Sequence, residues 1–268
     1  MNLVMDKTIN LADLKQKYTD AGIELKSEES FLALDGYIGE DGLFDYEKYV
    51  KTQTALNKGK LGQNGPLLSN EEGFLVQFAK HNTEPIKFGL CHGTRRGTEQ
   101  ESLSEKFNID VIGTEISETA SQFPKTIEWD FHDIKEEWVD NTSIIYSNSF
   151  DHAFDPIYAL GNWMRCIHKT GFIYLTAFVD GYTPGRLVQR TWEDWTESEK
   201  YGIKGYKLAD MHGFTAESVV KMVEYNHNQG VIDINEWTIT YCPVSIILWR
   251  GQEKDLKLDW EGFKTKFG

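Results

Sequence analysis

An imidazole directly after a carboxylate can move protons, and Asp151-His152 is such a pair. Histidine titrates near neutrality, so His152 is a candidate general base if Asp151 or another acid orients it. The competing reading is structural, with His152 pinning its loop. His212, in Ala209-Asp210-Met211-His212-Gly213, is a second candidate base, in a position that equally suits a turn before a helix. Upstream, Gly93 and Gly97 flank Thr94-Arg95-Arg96. Glycines let backbone approach a ligand closely, and Arg95 or Arg96 can pair with a ligand carboxylate or stand solvated on the loop. Glu115 follows roughly 20 residues beyond the glycines, where a carboxylate can accept from two adjacent ribose hydroxyls. Asp130 ends a third short run, with helix capping as its alternative role. His and carboxylate residues form no tight cluster at ligand spacing, so no metal site is expected.

These groups need elements that bring them together. Apolar runs at Ile86–Leu90, Asp110–Thr114, Ile127–Trp129, Ser143–Tyr146 and Phe172–Phe178 read as strands, with helical patterns between them. Alternation of this kind means βαβ units and a parallel sheet. In an open parallel sheet the ligand sits outside the carboxyl ends of the strands, where every group named above falls except His212, which lies farther along the chain. Asp155 and Pro156 can start the helix after the fourth strand. Val231–Tyr241 and Val244–Trp249 are joined only by Cys242-Pro243, too short for a parallel crossover, so they form an antiparallel hairpin. The chain divides into a helical N-terminal extension (1–80), a sheet domain (81–252) with an insertion near 179–213, and a tail (253–268). In the extension, Asn10 can cap a first helix, a second runs from Phe44 toward Gly59, and Ser69 with Glu72 forms a capping box. Phe44–Tyr49 and Lys58-Gly59-Lys60 can fold over a ligand as a lid or pack against the sheet edge or another subunit. The insertion carries Tyr182, Trp192, Trp195 and Tyr206, either a stacking surface for a sugar or planar substrate or its own hydrophobic underside.

Composition narrows the function. A chain of 268 residues can bury a large core. The formal net charge of −14 argues against a broad nucleic-acid-binding face. Cys91, Cys166 and Cys242 are scattered, which fits a reducing, cytoplasmic setting and neither disulfides nor zinc. No run approaches the ~18 apolar residues of a membrane span, so no membrane association is expected.

Five parallel strands with crossover helices, closed by an antiparallel hairpin, resemble the class I S-adenosylmethionine-dependent methyltransferases over roughly residues 84–251. The resemblance implies an α/β, Rossmann-like, seven-stranded and mostly parallel sheet with helices on both faces. It implies S-adenosylmethionine as cofactor, with the Gly93–Gly97 turn holding its methionine part, although two arginines replace the usual acidic, three-glycine form. Glu115 would clasp the ribose, Asp130 the adenine amino group, and the Phe131 backbone its ring nitrogen. Ser147-Asn148-Ser149-Phe150-Asp151-His152-Ala153-Phe154-Asp155-Pro156 resembles the acid-His…Asp-Pro signature of small-molecule methyltransferases. There Asn148 and Ser149 would contact the cofactor and His152 would deprotonate a hydroxyl of a small molecule or sugar. Association with a second copy is a further expectation. Two other classes remain open: a nicotinamide-dependent oxidoreductase, which lacks support from a GxGxxG or a Tyr-x-x-x-Lys pair, and a non-catalytic cofactor- or partner-binding module.

Overall fold

A computed structural model describes residues 2–23, 36–62, 85–176, 216–242 and 245–251. Among these, the main sheet has seven strands. Parallel strands β2 (Phe88–His92), β3 (Asp110–Glu115), β4 (Thr126–Glu128), β6 (Thr142–Ser147) and β7 (Ile167–Thr176) are joined by the antiparallel pair β8 (Trp237–Cys242) and β9 (Ser245–Arg250). The order across the sheet is β4-β3-β2-β6-β7-β9-β8. The chain therefore builds outward from β2 in one direction and then resumes at β6 on the other side. That reversal opens a crevice at the carboxyl ends of β2 and β6. A small second sheet pairs β1 (Asn2–Leu3) with β5 (Ile134–Lys135).

Side chains of the central strands alternate between two cores, as the strand period requires. Ile145, Ile173 and Leu175 face one core, while Ile144, Tyr146, Phe172 and Tyr174 face the other. Helix α3 (Thr98–Phe107) covers the second core through Leu103. Helices α4 (Pro156–Cys166) and α5 (Ala216–Asn228) cover the first. They cross closely at Gly161, where a Cβ would stand 2.3 Å from Asn226 Oδ1. Asn226 Nδ2 donates across the crossing to the Ile157 carbonyl at 2.9 Å. Trp163 of α4 is fully buried and donates Nε1–H to the Phe131 carbonyl at 2.7 Å. Truncating it to Ala costs on the order of 3–5 kcal/mol by cavity formation alone, before the lost hydrogen bond.

The described part of the N-terminal extension lies against the carboxyl edge of the sheet. Asn10 caps α1 (Leu11–Asp20), accepting from Ala12 N at 2.7 Å. Asp45 caps α2 (Tyr46–Lys60), accepting from Lys48 N at 2.9 Å. Tyr37, Phe44 and Tyr49 cluster with Phe154, just before α4.

Several boundaries differ from the sequence reading. The strand read at Ile86–Leu90 begins two residues later and continues through His92. Its ring is buried in the sheet, with Nδ1 2.8 Å from Thr114 Oγ1 and the ring plane stacked on Trp163 at 4.6 Å. Gly59 and Lys60 continue α2 instead of opening a loop. Trp129 falls past the end of β4, and β7 starts at Ile167, ahead of the strand read from Phe172. Residues from Val231 to Glu236 are turn and 3-10 helix, because Gly230 takes φ +70° and Asp233 caps the turn by accepting from Asn235 N at 3.0 Å. The Ser69 capping box, the insertion with its four aromatics, and the tail lie outside the described residues.

Candidate functional site

Four strand-end loops and one helix line a cleft, partly open to solvent, at the β2/β6 reversal. Gly93 forms its floor with φ +74°, and a Cβ there would come within 2.5 Å of Ser149 Cβ. Only glycine lets the loops after β2 and β6 approach so closely. Ser149 Oγ donates to the Gly93 carbonyl at 3.2 Å, and Ser147 Oγ donates to the His92 carbonyl at 3.0 Å. The two loops are thus fixed to each other before any ligand is considered. Arg95 also lines the cleft, in the left-handed region at φ +46°, and its N–H is turned toward Glu115.

Glu115, at the end of β3, is buried and acts as the main acceptor of the cleft. Its oxygens receive Ser117 N and Arg95 N, each at 3.1 Å, and the side chain of Asn57. Burial pushes its carboxyl above the ordinary range; the Asn57 amide, the two backbone N–H groups and the Arg95 guanidinium oppose this without cancelling it.

Asp130, one strand over, also lines the cleft but is differently placed. Its Oδ1 accepts from His132 N at 2.9 Å and meets His132 Nδ1 at 2.6 Å. Its Oδ2 accepts from Lys7 Nζ and Tyr46 OH, both at 2.9 Å. Burial alone would raise this carboxyl, yet His132 and Lys7 hold it well below the usual carboxylate range. An ionised carboxylate has about four acceptor positions, and here this chain occupies all of them. The adenine amino group expected at Asp130 therefore has no acceptor left on it in this conformation. Phe131 lines the same wall, stacked on the His132 ring at 4.9 Å and held by Trp163.

His152 reaches the cleft from a 3-10 turn, Phe150–His152, and its carbonyl accepts from Tyr49 OH at 3.1 Å. Its Nε2 lies 4.0 Å from Asp151 Oδ1, longer than a hydrogen bond. Gly93, Arg95, Glu115, Asp130, Phe131, Ser149 and His152 thus share one cleft. Gly97 does not line it; it caps α3 from a left-handed position. Asn148 is exposed, with its amide turned to Glu99 at 3.4 Å, and half-buried Asp151 does not line the cleft. His212 lies outside the described residues. No group of three or more potential metal ligands occurs among the described residues.

The sequence reading offered the two ends of α2, Phe44–Tyr49 and Lys58–Lys60, as one possible lid but named nothing between them. Tyr49, Gln53, Asn57 and Lys60 of α2 all face the cleft. A signal for them exists in the spacing: positions 49, 53, 56 and 57 form the buried stripe of α2, and two of the four are amides where apolar residues belong.

No protein-family model and no curated protein matches the sequence. Among solved structures, the chain is similar to the plantazolicin methyltransferase BpumL in complex with SAH, at 12% identity and TM-score 0.50, covering 90% of this chain and 100% of that one. A Methanococcus maripaludis structure named for S-adenosylmethionine-dependent methyl transfer is similar at 12% identity and TM-score 0.46, covering 93% and 99%. The fold is the class I methyltransferase fold. In this methyltransferase fold the sheet order, with its terminal antiparallel pair, places the cleft at the strand reversal. No helix among the described residues is long and apolar enough to cross a membrane.

Proposed function

We propose that this chain is an S-adenosylmethionine-dependent methyltransferase that transfers the methyl group to a hydroxyl of a small molecule or sugar. The observation that carries the reading is Glu115: a buried carboxyl group at the end of β3, held by two backbone N–H groups and lining the same cleft as Gly93. The residues present suit the cofactor. Glu115 offers an acceptor to the ribose, while Gly93, Ser149 and Arg95 offer a tight backbone and a cation to the amino-acid end. Phe131 offers an apolar face for the base, with Asp130 behind it as a brace.

When bound, the cofactor supplies an already activated sulfonium methyl, so the protein mainly aligns an acceptor and excludes water. A neutral hydroxyl also loses a proton as it attacks. In this reading His152, in the loop after β6 and lining the cleft, takes it, and Tyr49 donates to its backbone carbonyl. A base so positioned contributes roughly 10²–10⁴-fold.

Parallel calorimetric titrations with S-adenosylhomocysteine and NAD test the cofactor. Binding of the former alone supports the reading, binding of NAD alone points to an oxidoreductase, and binding of neither to a partner-recruiting module. With an acceptor in hand, His152→Ala is expected to cut turnover by about 10²-fold or more while cofactor affinity stays within about twofold. Unchanged turnover removes His152 as the base.

A further inference from the structure

Two amides on α2 have polar atoms that the protein leaves unmatched. Gln53 and Asn57 are only 9% and 7% exposed, and both line the cleft. Asn57 Oδ1 and Gln53 Nε2 make no hydrogen bond of normal geometry, although the Gln53 side chain lies near enough to the Tyr37 hydroxyl to lower its pKa. Buried donors and acceptors are normally satisfied, and one left unmade is destabilising. Two such atoms on one helix face, four residues apart and turned into one cleft, call for a ligand that supplies what they lack.

Their positions say which part of a ligand. Tyr49, Gln53 and Asn57 occupy three successive turns of α2. The first is tied to the His152 carbonyl at 3.1 Å and the last to the Glu115 carboxylate. The helix therefore runs along the cleft from the candidate base to the candidate ribose acceptor, with Gln53 midway. Asn57 gives its NH₂ to Glu115, so its free Oδ1 is an acceptor beside that carboxylate. A vicinal diol has two hydroxyl donors at the spacing of two adjacent acceptors, and its oxygens and those of an attached carboxylate can receive an amide N–H.

We propose that Gln53 and Asn57 form the second wall of the nucleoside site. Asn57 Oδ1 accepts from one ribose hydroxyl while Glu115 accepts from the other, and Gln53 Nε2 donates to an oxygen of the same ligand. The inference rests on the cofactor reading above. It makes α2 part of the binding site and couples its order to ligand binding.

Two measurements on the full chain test it. Amide hydrogen exchange of residues 46–60 in the wild-type protein is expected to slow when S-adenosylhomocysteine is added; no change there, with the ligand bound, overturns the proposal. Affinities of wild type, Asn57→Leu and Gln53→Met are then compared for S-adenosylhomocysteine and its 2′-deoxy and 3′-deoxy counterparts. Loss of one hydrogen bond corresponds to about tenfold in affinity. Asn57→Leu is expected to bind the parent ligand about tenfold more weakly and to bind one deoxy counterpart as wild type does. Gln53→Met is expected to lose about tenfold on all three. Wild-type affinities in both variants, or equal losses on all three ligands for Asn57→Leu, overturn the proposal and leave the cofactor reading standing. Failure of the wild-type protein to bind S-adenosylhomocysteine removes both.

Discussion

Glu115 and Asp130 end neighbouring parallel strands and open onto the same cleft, yet the chain treats them in opposite ways. Glu115 receives two backbone N–H groups and one amide from the protein, and burial leaves its carboxyl raised. Asp130 receives an imidazole, a backbone N–H, an ammonium and a phenol, and its carboxyl is strongly lowered. A carboxylate whose acceptor positions are filled by its own chain is a fastening. One that still favours an added donor is a binding group. Both are carboxyl groups at or just past the end of a parallel strand, so the difference lies in what the rest of the chain brings to each.

The largest expected effect tests the fastening. Asp130→Ala strands Lys7, Tyr46 and His132 without their shared acceptor, and breaking a buried ion pair from one side costs about 3–5 kcal/mol. Urea denaturation should report that loss. A loss below about 1 kcal/mol, accompanied by collapse of S-adenosylhomocysteine binding, would exchange the roles of the two carboxylates.

Glu115→Gln should act in the other direction. It removes a charged acceptor, expected to weaken S-adenosylhomocysteine about 10- to 100-fold, and it relieves a buried charge. The pH dependence separates the two groups. A raised carboxyl contributes stability below its unfolded value of about 4.3 and loses it as pH rises through the higher folded value. The stability of Glu115→Gln relative to wild type should therefore improve as pH rises above about 4.3. Asp130, being lowered, contributes fully above its unfolded value of about 3.9 and loses that contribution as pH falls below it. A relative stability of Glu115→Gln that is flat across this window would show that Glu115 is not strained by burial.

Much of this frame was legible in the sequence, for identifiable reasons. Short apolar runs ending in Gly, Glu and Asp at crossover spacing define parallel strands and their ligand edge, so Gly93, Glu115, Asp130 and Ser149 meet where the strand reading put them. The strand reading stopped at Leu90, short of His92, because a polar residue after an apolar run resembles a loop; stacking on Trp163 and a bond to Thr114 accommodate it in the strand. The saturation of Asp130 was invisible, since its donors Lys7 and Tyr46 lie 123 and 84 residues away along the chain. The α2 wall was half visible: its amides interrupt an apolar stripe, but periodicity alone does not say which surface that stripe meets.

The smallest effect sharpens the comparison most finely. Lys7 supplies one of four donors to Asp130 and also reaches Asp133 at 3.0 Å, and its side chain is 18% exposed. Met5 N donates to the same Asp133 oxygen at 2.7 Å, so the N-terminal strand keeps a second tie when the lysine is removed. Lys7→Met keeps most of the side-chain length and deletes the ammonium group, with its contacts over the Tyr46 and Phe154 rings. Partial exposure screens that charge, so the expected destabilisation is about 1 kcal/mol, well under that of Asp130→Ala. Affinity for S-adenosylhomocysteine should stay within about twofold, because three donors still fasten Asp130 and nothing at Glu115 changes. A tenfold loss of affinity at unchanged stability would instead mean that the β4 end is reached by the ligand and that its filling by Lys7 and Tyr46 is a closed state the ligand must displace.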